Sequence, residues 1–518
     1  MNAFRRLALL LLLLLNNAPA FGQKASPEEE QALADFAKYM AVKDTATRLN
    51  QVDCVAKFDS PLFAKVLIER GLTDESSQVR TRAMRALSGH RDPKSIELLI
   101  EAVKDKTPTI REGAVQALSR IGQKEGLDAI AAQLAAEKDP AVVAAILNTL
   151  SQAKRNVAAA EASKHLRSPH PVVVFAAIDM LGNTAEPKNA ESLNPLLRSK
   201  EWAVQTSVLQ ALSKLRAKTS IPFLIEALAA AKGQGRIAAE CRDTLVKITG
   251  WEWGLDADKW KGWWEKCDPN WEVPKEIKKV DTAAEGYGRR PTGYHTIKTE
   301  SRKIFFVVDI SCSMDQVIRF KDDQGNWRTE RRMDMAKAEL IRTLKTLDEN
   351  TEFGLLAFES QLKPYKDGLV RGTPGNIEDA VRWVESTNPP QQGSGSVAYT
   401  DEGYKRGETN TYAALKWIFG RKGPGTAGNA AGTTGDGSGG KKYKPISDTV
   451  FFLSDGDPSC GEITVHDDII EEVKRMNQTS KVVIHTIAFD LVGIGRKFLA
   501  DVAAATGGTS IVLGEANR

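Results

Sequence analysis

Apolar residues recur along the first half of the chain with a period far longer than a helical turn. Val79, Ile110, Val142, Val173 and Val204 occupy equivalent places, as do Leu87, Leu118, Leu150, Leu181 and Leu212, with steps of 31, 32, 31 and 31 residues in both series. A sixth copy runs from Ile237 to Leu245. Inside each copy the spacing is helical, as in Val79, Ala83, Ala86 and Leu87, and a second helix such as Ser95 to Val103 follows a short turn. One helix pair cannot bury its apolar faces alone, whereas a stack of pairs makes a continuous core. The spacing therefore predicts an all-α solenoid, with Ser26 to Leu49 as its polar-faced N-terminal cap.

Beyond about residue 300 the period changes to short, continuous apolar runs. Ile304 to Val308, Phe353 to Phe358, Thr449 to Leu453 and Val482 to Phe489 read as buried strands, and Met333 to Leu347 and Ile469 to Met476 as amphipathic helices. Ala500 to Gly508 and then Thr509 to Leu513 read as a last helical turn and a last strand. Alternation of this kind predicts a doubly wound, Rossmann-like α/β domain with a parallel-rich sheet covered on both faces. The expected organisation is a solenoid over 26–267, a Pro- and Lys-bearing linker over 268–302, and the α/β domain over 303–518. The glycine-rich insertion 421–442 has almost no side chain to bury against its ordering entropy and is expected to be disordered. It follows the helix that starts at Thr411, so deleting it should leave the opposite edge of the sheet intact.

Trp251, Trp253, Trp260, Trp263 and Trp264 are half of the ten tryptophans of the chain. Trp260, Trp263 and Trp264 suit one helical face, which predicts a C-terminal cap on the last repeat; the alternative is an aromatic surface for sugars or peptides.

Chemistry concentrates just past the strand ends. Asp309, Ser311 and Ser313 follow the first run, Asp455 follows Thr449 to Leu453, and Thr409 lies between them in the chain. In an open α/β sheet the C-terminal strand edge is where ligands bind. Three hydroxyls and two carboxylates are hard donors, suited to Mg²⁺, with Mn²⁺ or Ca²⁺ as alternatives, and poorly suited to Zn²⁺ or copper.

The three segments, in this order, resemble a von Willebrand factor A (VWA) domain with a metal-ion-dependent adhesion site. The resemblance implies that Ser311 and Ser313 coordinate the metal directly, that Thr409 does so directly or through water, and that Asp309 and Asp455 act directly or through bridging water. It also implies a sixth position left for an Asp or Glu carboxylate of a partner protein. Asp315 is a weaker candidate for an adjacent ion. The segments Asp315 to Arg332 and Asn388 to Arg406 should rim the metal face, as candidates for partner specificity. The repeats in turn resemble short HEAT-type repeats over roughly 45 to 250, on their period and on openings such as Asp105 to Pro108 and Ser168 to Pro171.

Arg5 and Arg6 precede the apolar run Leu7 to Leu15 and the small-residue site Ala18 to Ala20, the form of a cleaved signal peptide over 1–20. That core is too short to span a bilayer, which needs about 20 helical residues. A secreted or periplasmic protein without a membrane span is expected. A net charge of +4 over 71 basic and 67 acidic residues points to no nucleic-acid partner. Five cysteines leave an odd one: Cys312 and Cys460 either form a disulfide that clamps two ligand loops or stay free, and Cys241 and Cys267 could pair likewise, leaving Cys54. Six histidines show no metal-protease spacing, and no nucleophile elbow or phosphate loop is present, so no enzyme is expected. The expected function is protein interaction through the metal, with the solenoid as a second protein-binding surface. Alternatives are an accessory subunit of a larger AAA+ or envelope assembly, or a scaffold whose metal is purely structural.

Overall fold

The computed structural model describes residues 26–153, 159–276, 292–321, 327–390, 399–401, 403–420, 445–489 and 493–513. The expected signal peptide and the glycine-rich insertion 421–442 lie outside the described residues. The chain divides into two compact units between Leu193 and Asn194, inside the helical region, so the helices that follow Asn194 group with the sheet.

The first unit is a series of helix pairs. Proline opens Pro61–Val66, Pro93–Ala102, Pro108–Ile121, Pro140–Gln152 and Pro171–Gly182, where its missing N–H costs no helical bond. Asp44, Asp92 and Asp139 cap the first turns, and Ser26 forms a reciprocal capping box with Glu29. Leu87, Leu118, Leu150 and Leu181 are fully buried. A polar device repeats with the same period. Arg48 Nη1 donates to the carbonyls of Val42 and Lys43, Arg80 Nη1 to those of Asp74 and Glu75, and Arg111 Nη1 to those of Asp105 and Lys106. Each guanidinium thus closes the turn ahead of its own helix. Arg48 also pairs with Asp74 at 2.9 Å, and Arg111 with Glu137 at 2.8 Å.

In the second unit the helices Trp202–Leu215, Ile221–Ala230, Gly235–Thr249 and Ala257–Glu265 precede the sheet. Trp260 is fully buried and donates Nε1–H to Gly254 O at 2.9 Å, whereas Trp251 and Trp253 stay exposed, stacked 6.3 Å apart. The last helices are fastened to the sheet. Arg236 Nη1 donates at 2.8 Å to Asp448 O and Lys481 O, immediately before two strands, and Trp202 packs against one face of the sheet.

Seven strands form the main sheet: β3 (Lys303–Asp309), β6 (Glu352–Phe358), β7 (Leu362–Pro364), β8 (Val370–Arg371), β9 (Thr449–Ser454), β10 (Val483–Phe489) and β11 (Ser510–Leu513). The order is β11-β10-β9-β3-β6-β7, with β8 also on β6; β7 and β8 run antiparallel and the rest parallel. Alternation along β3 sends Phe305 and Val307 to a core with helices Thr411–Ile418, His466–Ser480 and Gly493–Thr506. Ile304, Phe306 and Val308 go to the other core, with helices Arg332–Leu344 and Pro374–Ser386. Helices cover both faces, as expected for an α/β sheet, though the edge on β6 is mixed.

Several elements depart from expectation, among them the strands β7 and β8. Part of the expected linker is a hairpin, β1 (Thr292–Tyr294) and β2 (Ile297–Thr299), whose Tyr294 and Ile297 are buried in the second core. Two buried positions three residues apart are too short a signal for a sequence period to register. The helix Pro374–Ser386 was also not read from the sequence; its partly polar face follows a Thr373 cap and Pro374.

Candidate functional site

The topology places the candidate donors together. From β3 the chain first winds to β6 on one side and then crosses to β9 on the other, so the order of winding reverses between the parallel strands β3 and β9. Both strands end in acid there: Asp309 is the last residue of β3, and Asp455 follows Ser454, the last of β9. This is the crevice at which doubly wound sheets hold ligands.

Asp309 is completely buried. Its Oδ1 accepts the Ser311 N–H at 2.8 Å and its Oδ2 the Ser454 hydroxyl at 2.6 Å. Ser311 Oγ lies 3.0 Å from Ser313 Oγ, which donates to Asp455 Oδ1 at 2.7 Å. A methyl group placed on Gly456 would sit 3.4 Å from Thr409 Oγ1 and 3.7 Å from Ser313 Oγ, so Thr409 lies close to Gly456 beside this hydrogen-bonded group. Burial, and then the neighbouring Asp455 charge, push the Asp309 carboxyl well above the usual carboxylate range. Asp455 is raised by burial as well, against the pull of Ser313 and Arg332.

The donor types, two carboxylates and three hydroxyls, are hard oxygens of the kind a divalent cation such as Mg²⁺ takes. Two buried aspartates whose charges repel are what a cation would relieve. Among the described residues no three His, Cys, Asp or Glu side chains cluster as metal ligands, so the set depends on its hydroxyls.

The Thr409 loop is held from below by a residue the sequence reading missed. Glu359, directly after β6 and fully buried, accepts the Gly407 N–H at 2.7 Å and the Ser360 hydroxyl at 2.6 Å through Oε2. Its Oε1 pairs with Arg406 at 2.6 Å, and its carbonyl accepts the Asn410 N–H at 3.0 Å. Burial pushes its carboxyl up, but Ser360, Gly407 and Arg406 together hold it below the usual range. Gly407 has φ +85°, and a side chain there would strike Cys312 Sγ, so both backbone and space require glycine. A charged residue just past an apolar strand, on the same sheet edge as Asp309 and Asp455, was the available signal. Arg332 was missed too, and it had none: it sits in a run of charges and donates to Asp455 Oδ2 at 2.7 Å.

The Cys312–Cys460 disulfide is not formed, and all five cysteines are free. The Thr409 loop makes that connection instead. Cys312 N–H donates to Gly407 O at 2.9 Å and Cys460 N–H to Thr409 O at 3.4 Å, while Cys312 Sγ faces Pro390 O at 3.8 Å. Asp315 is ion-paired with Arg331 at 2.9 Å. The segment after Ser313 forms a hairpin, β4 (Val317–Lys321) with β5 (Trp327–Arg331), that leads into Arg332.

Residues 64–151 and 159–241 match the family model of HEAT repeats. The N-terminal region is therefore a HEAT-repeat array. None of the curated proteins matches the chain. Among solved structures, an aerotolerance-related membrane protein from Bacteroides fragilis is similar at 13% identity over 41% of this chain and 92% of its own, with a TM-score of 0.25. An engineered protein is similar at 18% identity over 44% and 76%, with a TM-score of 0.28. The phycocyanin lyase complex from Nostoc sp. PCC7120 is similar at 19% identity over 44% and 96%, with a TM-score of 0.25. Likeness at these scores establishes no shared fold.

Proposed function

We propose that residues 303–518 form a VWA domain whose adhesion site holds a divalent cation, Mg²⁺ foremost, and that the chain is an exported, non-enzymatic interaction protein. The observation that carries this reading is that Asp309, Ser311, Ser313 and Asp455 are joined by hydrogen bonds at the β3/β9 crevice, with Thr409 Oγ1 close to Gly456 beside them. Bound there, a divalent cation supplies an electron-poor centre able to hold a partner's Asp or Glu side chain. The chain's own groups do the rest. Ser311 and Ser313 present neutral donors that leave the cation's charge largely unspent, Ser454 orients Asp309, and Glu359 fixes the loop of Thr409. HEAT repeats support a scaffold role, and the array offers a second protein surface.

Calorimetric titration of Mg²⁺, Mn²⁺ and Ca²⁺ into the full chain tests the site, beside Asp309→Ala. Heat is expected from the native chain and none from the variant. Loss of partner capture in EDTA would then distinguish adhesion from a purely structural metal. Capture that survives EDTA would leave the HEAT array as the binding surface. Export is tested separately by fractionating the tagged protein and sequencing its mature N-terminus, expected near Phe21.

A further inference from the structure

The loop that leaves β9 carries one candidate ligand, Asp455, and then folds back over another, Thr409. At its start lies Gly456, where an added methyl group would sit 3.4 Å from Thr409 Oγ1. Further along, Ser459 holds the Thr409 backbone at both of its polar groups. Its Oγ accepts the Thr409 N–H at 2.8 Å, and its own N–H donates to Thr409 O at 3.0 Å. Cys460 N–H shares that carbonyl at 3.4 Å. The contact continues one residue further: Gly461, at φ +114°, lies so close to Asn410 that a Cβ there would overlap Asn410 Oδ1. That oxygen accepts the Ala413 N–H at 3.1 Å and caps the helix Thr411–Ile418. Glu359 braces the neighbouring Gly407 and Asn410 independently. Thr409 is buried and Ser459 is exposed, so this clasp stands where water can reach it.

We propose, resting on the metal reading above, that Ser459 is a positioning residue that fixes the Thr409 hydroxyl relative to Asp455 and so lets the site select Mg²⁺ over Ca²⁺. Ser459 acts through Thr409 and is not itself a donor. With the N–H and C=O of Thr409 both engaged, its side chain is placed by the same loop that presents Asp455. Mg²⁺ demands near-ideal octahedral geometry, whereas Ca²⁺ accepts irregular shells of oxygen. A hydroxyl on a loosened loop therefore costs Mg²⁺ more than it costs Ca²⁺. If the Ser459 hydroxyl is removed, water satisfies the Thr409 N–H and the fold persists, but the two donors are no longer tied together. A merely structural role predicts a different pattern, in which stability falls and both ions lose affinity alike.

The test is calorimetric titration of MgCl₂ and, separately, of CaCl₂ into the full chain at constant ionic strength. It uses the native chain, Ser459→Ala, Ser459→Thr, and Asp309→Ala as the blank, with a urea midpoint for each. The native chain is expected to bind Mg²⁺ more tightly than Ca²⁺. One neutral hydrogen bond is at stake, so Ser459→Ala should bind Mg²⁺ roughly three- to ten-fold more weakly than native. Its Ca²⁺ affinity should stay within about two-fold of native, and its urea midpoint should not move. Ser459→Thr keeps the hydroxyl and should keep the native ratio of the two affinities. An unchanged ratio in Ser459→Ala, whether both affinities hold or both fall together, would overturn the proposal. A Ser459→Thr chain as unselective as Ser459→Ala would do the same. So would a native chain that binds Mg²⁺ no more tightly than Ca²⁺, a result that needs no variant to fold. A native chain that gives no heat with either ion instead removes the metal reading itself.

Discussion

Glu359 shows how much of the candidate site depends on a side chain outside the donor set. Its carboxylate joins the end of β6 to Gly407 and Arg406, and its carbonyl joins Asn410, so one residue braces the loop of Thr409 on both sides. Glu359→Gln keeps the shape but replaces a buried anion, leaving the Arg406 charge without its partner. A loss of about 1–3 kcal/mol of folding stability is expected, readable as a lower urea midpoint. Mg²⁺ binding by calorimetry should weaken with it; a variant with native stability and native Mg²⁺ affinity would show that the loop holds itself. Asp309, Ser311, Ser313 and Asp455 stand out in the sequence because each follows closely on an apolar run that ends abruptly, whereas Thr409 follows a polar stretch. Glu359 has the same placement, but nothing local marks its downward-facing role in joining β6 to a loop 48 residues away.

The helix pairs are held by two repeating devices, of which the sequence displays one. Leucines such as Leu87 and Leu118 recur at the repeat period and are buried, because apolar burial follows helical phase. The arginines Arg48, Arg80 and Arg111 recur at nearly the same period, yet a basic residue on a helix reads as solvated until its carbonyl partners are known. The Arg111–Glu137 pair makes a pH prediction. Burial raises the Glu137 carboxyl, but the Arg111 guanidinium and the Asp139 and Lys138 N–H groups outweigh it and hold it at about 2, against an ordinary 4.5. The folded pKa is depressed, so the contribution is complete above about pH 4.5 and is lost as pH falls toward 2, on the order of 3 kcal/mol in all. Between pH 6 and pH 3, urea melts should show about 2 kcal/mol of that loss in the native chain beyond whatever Glu137→Gln loses. Equal pH slopes in the two proteins would rule it out.

Across the whole molecule, the helices after Asn194 group with the sheet, and Arg236 is their charged fastening. It reaches backbone carbonyls just before β9 and β10, at the edge of the sheet opposite the donors. Arg236→Ala removes two charge-assisted bonds and the stacking of its guanidinium 5.5 Å from the Trp202 ring. A loss of roughly 2–4 kcal/mol in the thermal or urea unfolding of this unit is expected, with Mg²⁺ affinity nearly unchanged. A fall in Mg²⁺ affinity would mean instead that the helices reach the site through the sheet. The repeat array, the buried strands and the candidate ligands Asp309, Ser311, Ser313 and Asp455 past their ends could be read from one-dimensional order, since helical phase, strand alternation and strand ends are local properties. Which loops meet, and what charge sits beside them, could not. Arg332 and Asp455 are 123 residues apart, and Arg236 and Lys481 are 245 apart. A charged side chain is at home in so many solvated places that its partner is settled only when folding closes those loops and removes the water.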